Sequence, residues 1–200
     1  MSATESIAPA EPLPLENVTT SGPPAAEAGG VLTIDLAAIE ANWKALARRT
    51  MPAECAAVIK ADAYGCGIEP VGTILTKAGC KTFFVADLLE ARRLRKVAPE
   101  ATIYVLNGLM PGTAESFAEL HVRPVIGSLT EFAEWDAFVA TTGWQGGAAL
   151  HVDTGMNRLG LSPDEAAALA PRVRADAHGI TLLMSHFVSA AASSSGSPPR

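Results

Sequence analysis

Two short stretches of the chain concentrate side chains able to do covalent or ionic chemistry. The first, Ala57-Val58-Ile59-Lys60-Ala61-Asp62-Ala63-Tyr64-Gly65-Cys66-Gly67, ends an apolar run on a lysine and then turns through two glycines. A lysine partly desolvated at such a position has its ammonium form disfavoured, which makes a neutral amine accessible for attack on a carbonyl carbon and Schiff-base formation. A lysine at a strand end can equally run its apolar stem along the surface and leave the charge in water, so the pattern alone leaves both readings of Lys60 open. The second stretch, His151-Val152-Asp153-Thr154-Gly155-Met156-Asn157-Arg158-Leu159-Gly160, opens an apolar run into a polar, glycine-containing loop. There Arg158 suits a two-pronged, charge-assisted hydrogen bond to a carboxylate or another anionic oxygen. Alternatively, Asp153 and Arg158 pair with each other or cap neighbouring elements. A third segment, Met184-Ser185-His186-Phe187, sets a histidine just past another apolar run, where a structural role is as open as a chemical one.

The elements that must position these residues follow from the alternation of short β-rich runs with longer amphipathic stretches. Strands are predicted at Val31–Asp35, Ala56–Lys60, Thr82–Ala86, Thr102–Leu106, Pro124–Ile126, Ala148–Val152 and Thr181–Ser185. Helices are predicted at Leu36–Arg49 with Asp35 as its cap, and then near Ile68–Ala78, Leu88–Val97, Gly112–Leu120, Leu129–Thr142 and Pro163–Ala175. Ser162 followed by Pro163 suits a cap and a first-turn proline. Most strand candidates are continuous apolar runs, as expected of strands covered on both faces. The pattern is that of βα units around a parallel sheet, and the fold class it predicts is a (β/α)8 barrel of the TIM type. Such a barrel needs eight strands and about 250 residues; about six βα units are present, so the barrel is expected to be incomplete. In parallel barrels the carboxyl ends of the strands carry the active site, which is where Lys60, Arg158 and His186 fall.

The motifs also carry a family resemblance. Val58-Ile59-Lys60-Ala61-Asp62-Ala63-Tyr64-Gly65-Cys66-Gly67 resembles the cofactor-lysine signature of alanine racemases, and the stretch from His151 to Gly160 resembles their second large motif. Ile34-Asp35-Leu36 with Ala38, Ile39 and Asn42, the Val105-Leu106 strand end and Ser185-His186-Phe187 match in the same order, so the resemblance runs from about Val31 to Phe187. It implies a barrel that binds pyridoxal 5'-phosphate and takes L- and D-alanine as substrates, supplying D-alanine for peptidoglycan precursors. It implies that Lys60 carries the cofactor and moves the substrate α-proton, and that Tyr64 lies near the cofactor phosphate. By the same resemblance Arg158 contacts the cofactor phenolic oxygen and the substrate carboxylate, His186 belongs to the hydrogen-bond network below the pyridine ring, and Leu106 lines the pocket. His151 departs from the pattern, since many members have a carbamylated lysine there; a histidine can still orient the arginine, without carbamylation.

The same resemblance sets expectations for organisation. Residues 1–30, rich in Ala, Pro, Glu, Ser and Gly, are expected to form a disordered leader, residues 31–187 a partial barrel, and residues 188–200 a disordered low-complexity tail. The family's remaining strands and its β-rich C-terminal domain, which supplies a second base from a partner subunit, are expected to be absent, making this a truncated form with impaired activity; the full-length family is expected to be a homodimer. Alternatives are a single-barrel carrier of the same cofactor, an inactive fragment, or a decarboxylase built on the same barrel.

Bulk composition agrees with a globular chain and narrows the partners. Of the 200 residues 48% are hydrophobic and 18% charged, enough to bury a core. With 15 basic against 21 acidic residues, a formal net charge of -6 gives no electrostatic footing for nucleic acid or an anionic membrane. Cys55, Cys66 and Cys80 are odd in number and contain no CxxC pair, which suggests reduced thiols and neither a disulfide framework nor a metal site. Without a basic, apolar signal segment at the start or a long apolar run elsewhere, the expected location is cytoplasmic.

Overall fold

The computed structural model describes residues 23–173 and 179–188. It divides into two units, residues 1–34 and residues 35–200. The expected leader residues 1–22, the tail beyond Val188 and the end of the predicted Pro163–Ala175 helix lie outside the described residues. Among the described residues of the first unit, a 3-10 turn covers Ala25–Glu27. The strand predicted at Val31–Asp35 is not there: the run has no ladder partner among the described residues, and Leu32 is 82% exposed. Five residues of β-forming type do not make a strand unless another strand takes up their backbone groups.

The second unit contains all six of the other predicted strands: β1 (Ala57–Val58), β2 (Thr82–Val85), β3 (Thr102–Val105), β4 (Arg123–Ile126), β5 (Ala148–His151) and β6 (Ile180–Met184). They form one parallel sheet in sequence order, the arrangement of successive βα units in a barrel wall, six strands of the eight that close one. The helices are α1 (Leu36–Thr50), the short turn α2 (Lys60–Tyr64), α3 (Ile68–Ala78), α4 (Leu88–Val97), α5 (Ala114–Glu119), α6 (Leu129–Thr142) and α7 (Pro163–Leu169). Local chemistry sets most of their ends. The carboxylates of Asp35 and Asp87 accept from the backbone N–H groups of Ala38 and Glu90, and Ser128 accepts from Glu131. Ser162 and Glu165 form a reciprocal capping box in front of Pro163. Gly79 and Gly143 end α3 and α6 in the left-handed conformation. Helix α5 starts later than predicted because Gly112 stands at φ +76°, outside the helical region, and α7 stops before Pro171, whose ring cannot continue a helix.

The strands present two different faces. Phe83, Val85, Ile103, Val105, Val122, Ile126, Ala148, Leu150 and Ile180 join the helix residues Ile68, Leu75, Leu94, Phe117 and Trp135 in one large core. The intervening positions Phe84, Tyr104, Leu106, Val125 and Ala149, with Leu182 and Met184 beyond the register shift that follows Ile180, form a second, smaller apolar cluster. The continuous apolar runs are thus two alternating sets, one packed under helices and one on the concave side that a barrel encloses. Phe84 and Tyr104 stack with ring centroids 5.1 Å apart. Toward the amino ends of the strands, Arg123 donates from Nη1 to the hydroxyl oxygens of Tyr104 (3.0 Å) and Thr181 (3.3 Å). This polar triad lies at the opposite end of the sheet from the motif loops.

Candidate functional site

The ladders bring the strand ends to a common level. Ile59 donates its N–H to Phe84 O, Leu106 to Val85 O and Val152 to Met184 O, each at 2.9 Å. Beyond these rungs the chain leaves the sheet on one side, carrying Lys60 from β1, Leu106 from β3, the Arg158 loop from β5 and His186 from β6.

Lys60 is half-buried and follows the buried Ile59 directly. The strand predicted to extend through Lys60 ends at Val58, because the next residues take a conformation no strand can hold. Ala61, Asp62 and Ala63 have φ of 53–54° and ψ of 45–50°, and Tyr64 has φ 55°. Four consecutive non-glycine residues in the left-handed region are each disfavoured by about 1–2 kcal/mol, so the surroundings must over-determine the turn. Part of the restraint is local: Gly65 N–H donates to Ala61 O and Asp62 O, and Gly67 N–H to Asp62 O. The rest comes from the next βα unit. Glu90 Oε1 accepts the Asp62 N–H at 2.8 Å while Glu90 Oε2 accepts the Ala86 N–H at 2.7 Å. Asp62 Oδ1 in turn accepts from Ile68 N–H at 3.0 Å and stands 2.8 Å from Arg93 Nη2. Arg93 also grips Glu69 with two bonds of 2.6 Å, and this guanidinium holds the Glu69 carboxyl below its ordinary value. Tyr64 closes the turn with its side chain 65% exposed.

The loop after β5 is restrained by its own backbone. Asp153 Oδ1 accepts the N–H groups of Gly155 (2.9 Å) and Asn157 (3.1 Å), bonds that pull its carboxyl below the usual value. Among the described residues no ion pair joins Asp153 to Arg158; the carboxylate instead shapes the loop that presents Arg158, whose side chain is exposed. Leu161 and the strand end exchange bonds of 2.8 Å, Leu161 N–H to His151 O and Asp153 N–H to Leu161 O. Gly160, at φ +111°, fits against this clasp only without a side chain, since a Cβ there would lie 2.8 Å from Asp153 N. Thr154 Oγ1 and Ser185 Oγ, 2.6 Å apart, fasten the loop to the segment carrying His186.

His151 links the two motif residues on this side. It is only 8% exposed, and its imidazolium is disfavoured first by burial and then by the nearby charge of His186, with Arg158 adding to the effect and Asp153 opposing it. Arg158 and His186 thus both act to disfavour the charged form of His151. Leu106 joins the concave apolar cluster with Phe84 and Met184. Lys60 follows β1, which lies four strands from β5 in the sheet order. The sequence reading missed Glu90 and Arg93. Asp87-x-x-Glu90 has the form of a capping box, but Glu90 reaches past its own cap to Ala86 and to a loop 28 residues earlier. Together the strand ends offer an amine, a guanidinium, an imidazole and a phenol above an apolar floor, a set able to attack a carbonyl, hold an anion and transfer protons.

Comparison with known proteins specifies the family. A family model described as the alanine racemase N-terminal domain matches residues 34–198. The alanine racemase of Methylobacterium sp. strain 4-46 is 58% identical over 162 residues, covering 81% of this chain and 44% of that protein. That of Brucella ovis is 50% identical over 139 residues, covering 69% of this chain and 35% of that protein. Among solved structures, alanine racemase from Bartonella henselae with covalently bound pyridoxal phosphate superposes with a TM-score of 0.73 at 37% identity, covering 78% of this chain and 46% of that one. Alanine racemase from D-cycloserine-producing Streptomyces lavendulae gives 0.71 at 30% identity, covering 82% and 44%. This chain thus spans less than half the length of these relatives. Over the part it spans, the superposition of the parallel wall and the sequence match agree: the chain belongs to the alanine racemase N-terminal domain family.

Proposed function

We propose that this chain binds pyridoxal 5'-phosphate through Lys60 and serves the interconversion of L- and D-alanine. The observation that carries the reading is the half-buried Lys60 at the carboxyl end of β1, followed at once by the left-handed turn Ala61–Tyr64, in a sequence 58% identical to an alanine racemase. The donor set suits the group: an amine for its aldehyde, cationic or donating side chains in Arg158, His186 and Tyr64 for its anionic oxygens, and the apolar Leu106 for its ring. When bound, pyridoxal phosphate supplies an electron sink that makes loss of an α-proton feasible.

The protein's part is then to hold, orient and move protons. Lys60 Nζ takes the α-proton on one face of the substrate and returns it. Arg158 fixes the substrate carboxylate through charge-assisted hydrogen bonds, which selects an amino acid over an amine. Tyr64 would donate toward the phosphate, and His186 would join the hydrogen bonds that hold the ring. His151, kept neutral by burial and by the neighbouring His186, can accept a hydrogen bond near Arg158, the service a carbamylated lysine gives elsewhere in the family. We further propose residues 31–187 as the barrel portion, flanked by a leader at 1–30 and a tail at 188–200. Two copies pair in the assembled enzyme, which works in the cytoplasm on precursors of peptidoglycan. Three free thiols and the lack, among the described residues, of a helix long and apolar enough to cross a membrane support that location.

The test is an absorption spectrum of the chain with added pyridoxal phosphate, followed by borohydride reduction and peptide mass mapping. The expected outcome is a visible band and a reduced covalent adduct on Lys60, both abolished in Lys60→Ala. An adduct spread over surface lysines and unchanged in Lys60→Ala would refute the assignment.

A further inference from the structure

The turn after β1 is held from outside itself, and the residue that holds it lies in neither motif. Glu90 sits one turn into α4, behind its cap Asp87, and is 9% exposed. Its two oxygens serve two backbone donors from different βα units: Ala86 at the end of β2 and Asp62 in the middle of the left-handed turn. The equivalent position of α6 is used in a related way. Glu131, behind the cap Ser128, accepts the Gly127 N–H at the end of β4 at 2.7 Å and lies close against Gly108 in the loop after β3. By contrast, Glu165 at the same place in α7 turns back on its own cap. A carboxylate at this place that takes up a strand-end N–H and reaches the preceding loop therefore occurs at both α4 and α6, and only at α4 is it buried and the loop the one that contains the strand-end lysine.

We propose that Glu90 is a positioning residue for Lys60: its carboxylate clamps the Asp62 N–H to the end of β2 and so fixes the left-handed turn that aims the lysine amine. Three features favour this role over simple packing. The bonded atom is a backbone N–H inside the strained turn, two residues from Lys60, so the clamp acts on chain direction. The carboxylate has two acceptors for two donors, and shortening it or replacing one oxygen by an amide leaves one donor unanswered. Asp62 Oδ1 holds the far end of the turn through Ile68 N–H and Arg93, so that without Glu90 the turn keeps side-chain anchors only after Asp62, and on the lysine side only its own backbone bonds remain, Ala63 N–H to Ile59 O and Gly65 N–H to Ala61 O. The inference rests on the reading of Lys60 as the pyridoxal-phosphate attachment site.

The experiment compares the full chain with Glu90→Gln, Glu90→Asp, Glu131→Gln and Lys60→Ala. It reads backbone amide exchange over residues 61–67, the urea midpoint, and borohydride-trapped attachment of pyridoxal phosphate as a function of pH. Glu131→Gln is the matched control, because it removes one acceptor from the sister bridge far from Lys60. The expected result for Glu90→Gln is faster exchange confined to residues 61–67 and Ala86. Trapped attachment at limiting pyridoxal phosphate should fall roughly tenfold, with its pH midpoint displaced and the urea midpoint close to that of Glu131→Gln. Unchanged exchange at 61–67, or an equal loss of attachment in Glu131→Gln, would overturn the proposal. Should Glu90→Gln not fold, Glu90→Asp, which keeps the charge but cannot span both donors, is judged by the same readouts. If attachment is no weaker in Lys60→Ala than in the natural chain, the attachment reading fails, and the exchange of residues 61–67 alone decides whether Glu90 clamps the turn.

Discussion

The loop after β1 and the loop after β5 leave the sheet on the same side, and each contains residues at positive φ, yet they are built on opposite plans. After β1 the left-handed residues are Ala61, Asp62, Ala63 and Tyr64, of which only Asp62 is of a type that visits that region with any frequency, and side chains of α4 add their bonds to those of the turn's own backbone. After β5 the positive φ values fall on Gly155, Asn157 and Gly160, residue types that adopt them readily, and Asp153 folds the loop around its own carboxylate. The first loop needs the next βα unit in place before it can form; the second is largely set within ten residues and then fastened to β6 through Thr154 and Ser185. The lysine that must point in one direction sits on the loop with external bracing, and the exposed arginine sits on the self-organised one.

Glycine-to-alanine changes test this contrast most severely. Gly160→Ala meets both a positive φ and a backbone atom 2.8 Å away in the clasp that closes the second loop; it should lower unfolding stability by about 3 kcal/mol. Gly65, in the first loop, is also left-handed but has open space where a Cβ would go, so Gly65→Ala should lose only about 1 kcal/mol. Urea unfolding of the two variants beside the natural chain measures both. Equal losses would show that crowding in the β5 clasp is not what holds the second loop.

This difference also explains what could be read from the sequence. The six strands of the sheet and helices α3, α4 and α6 stand within a residue or two of their expected places, since apolar runs and Asp, Ser, Gly and Pro punctuation act locally. So does the Ser162-Pro163 start of α7. Val31–Asp35 has strand-like composition but no partner strand among the described residues, and strand formation is a property of pairs. That Phe83 and Phe84 face different clusters is invisible in a run of apolar letters. Lys60 was legible as a strand-end lysine, but the turn that directs it was not: alanine and aspartate do not announce left-handed φ. The bond between Glu90 and Asp62 spans 28 residues, beyond any local pattern.

His151 sharpens the comparison through pH. Its folded-state pKa is depressed below 6.5 by burial and by His186, so the folded form disfavours the proton that the unfolded chain accepts. Its contribution to stability is fully present above about pH 6.5 and is lost as pH falls through that value toward the lower folded one. The urea midpoint should therefore decline between pH 7.5 and 5.5 in the natural chain and decline less in His151→Leu, a smaller change than the glycine substitution produces. The first loop, with no histidine in its bracing, should keep its slow amide exchange across the same range. A slope unchanged by His151→Leu would assign the titration elsewhere.

The smallest effect is expected at Asp153. Its carboxyl is drawn below 3.8 chiefly by the Asn157 and Gly155 N–H groups, so its contribution is present above the ordinary carboxylate value and disappears only as pH falls through the lowered one. Because the group is solvent-exposed, global stability should scarcely register the loss, whereas the amide resonances of Gly155 and Asn157 should move with its titration and lose that movement in Asp153→Asn. If the second loop is self-organised, Asp153→Asn should leave the resonances of residues 61–67 where they were. Joint displacement of both loops would mean that the strand ends behave as one coupled surface, and that the bracing by Glu90 extends beyond the turn it touches.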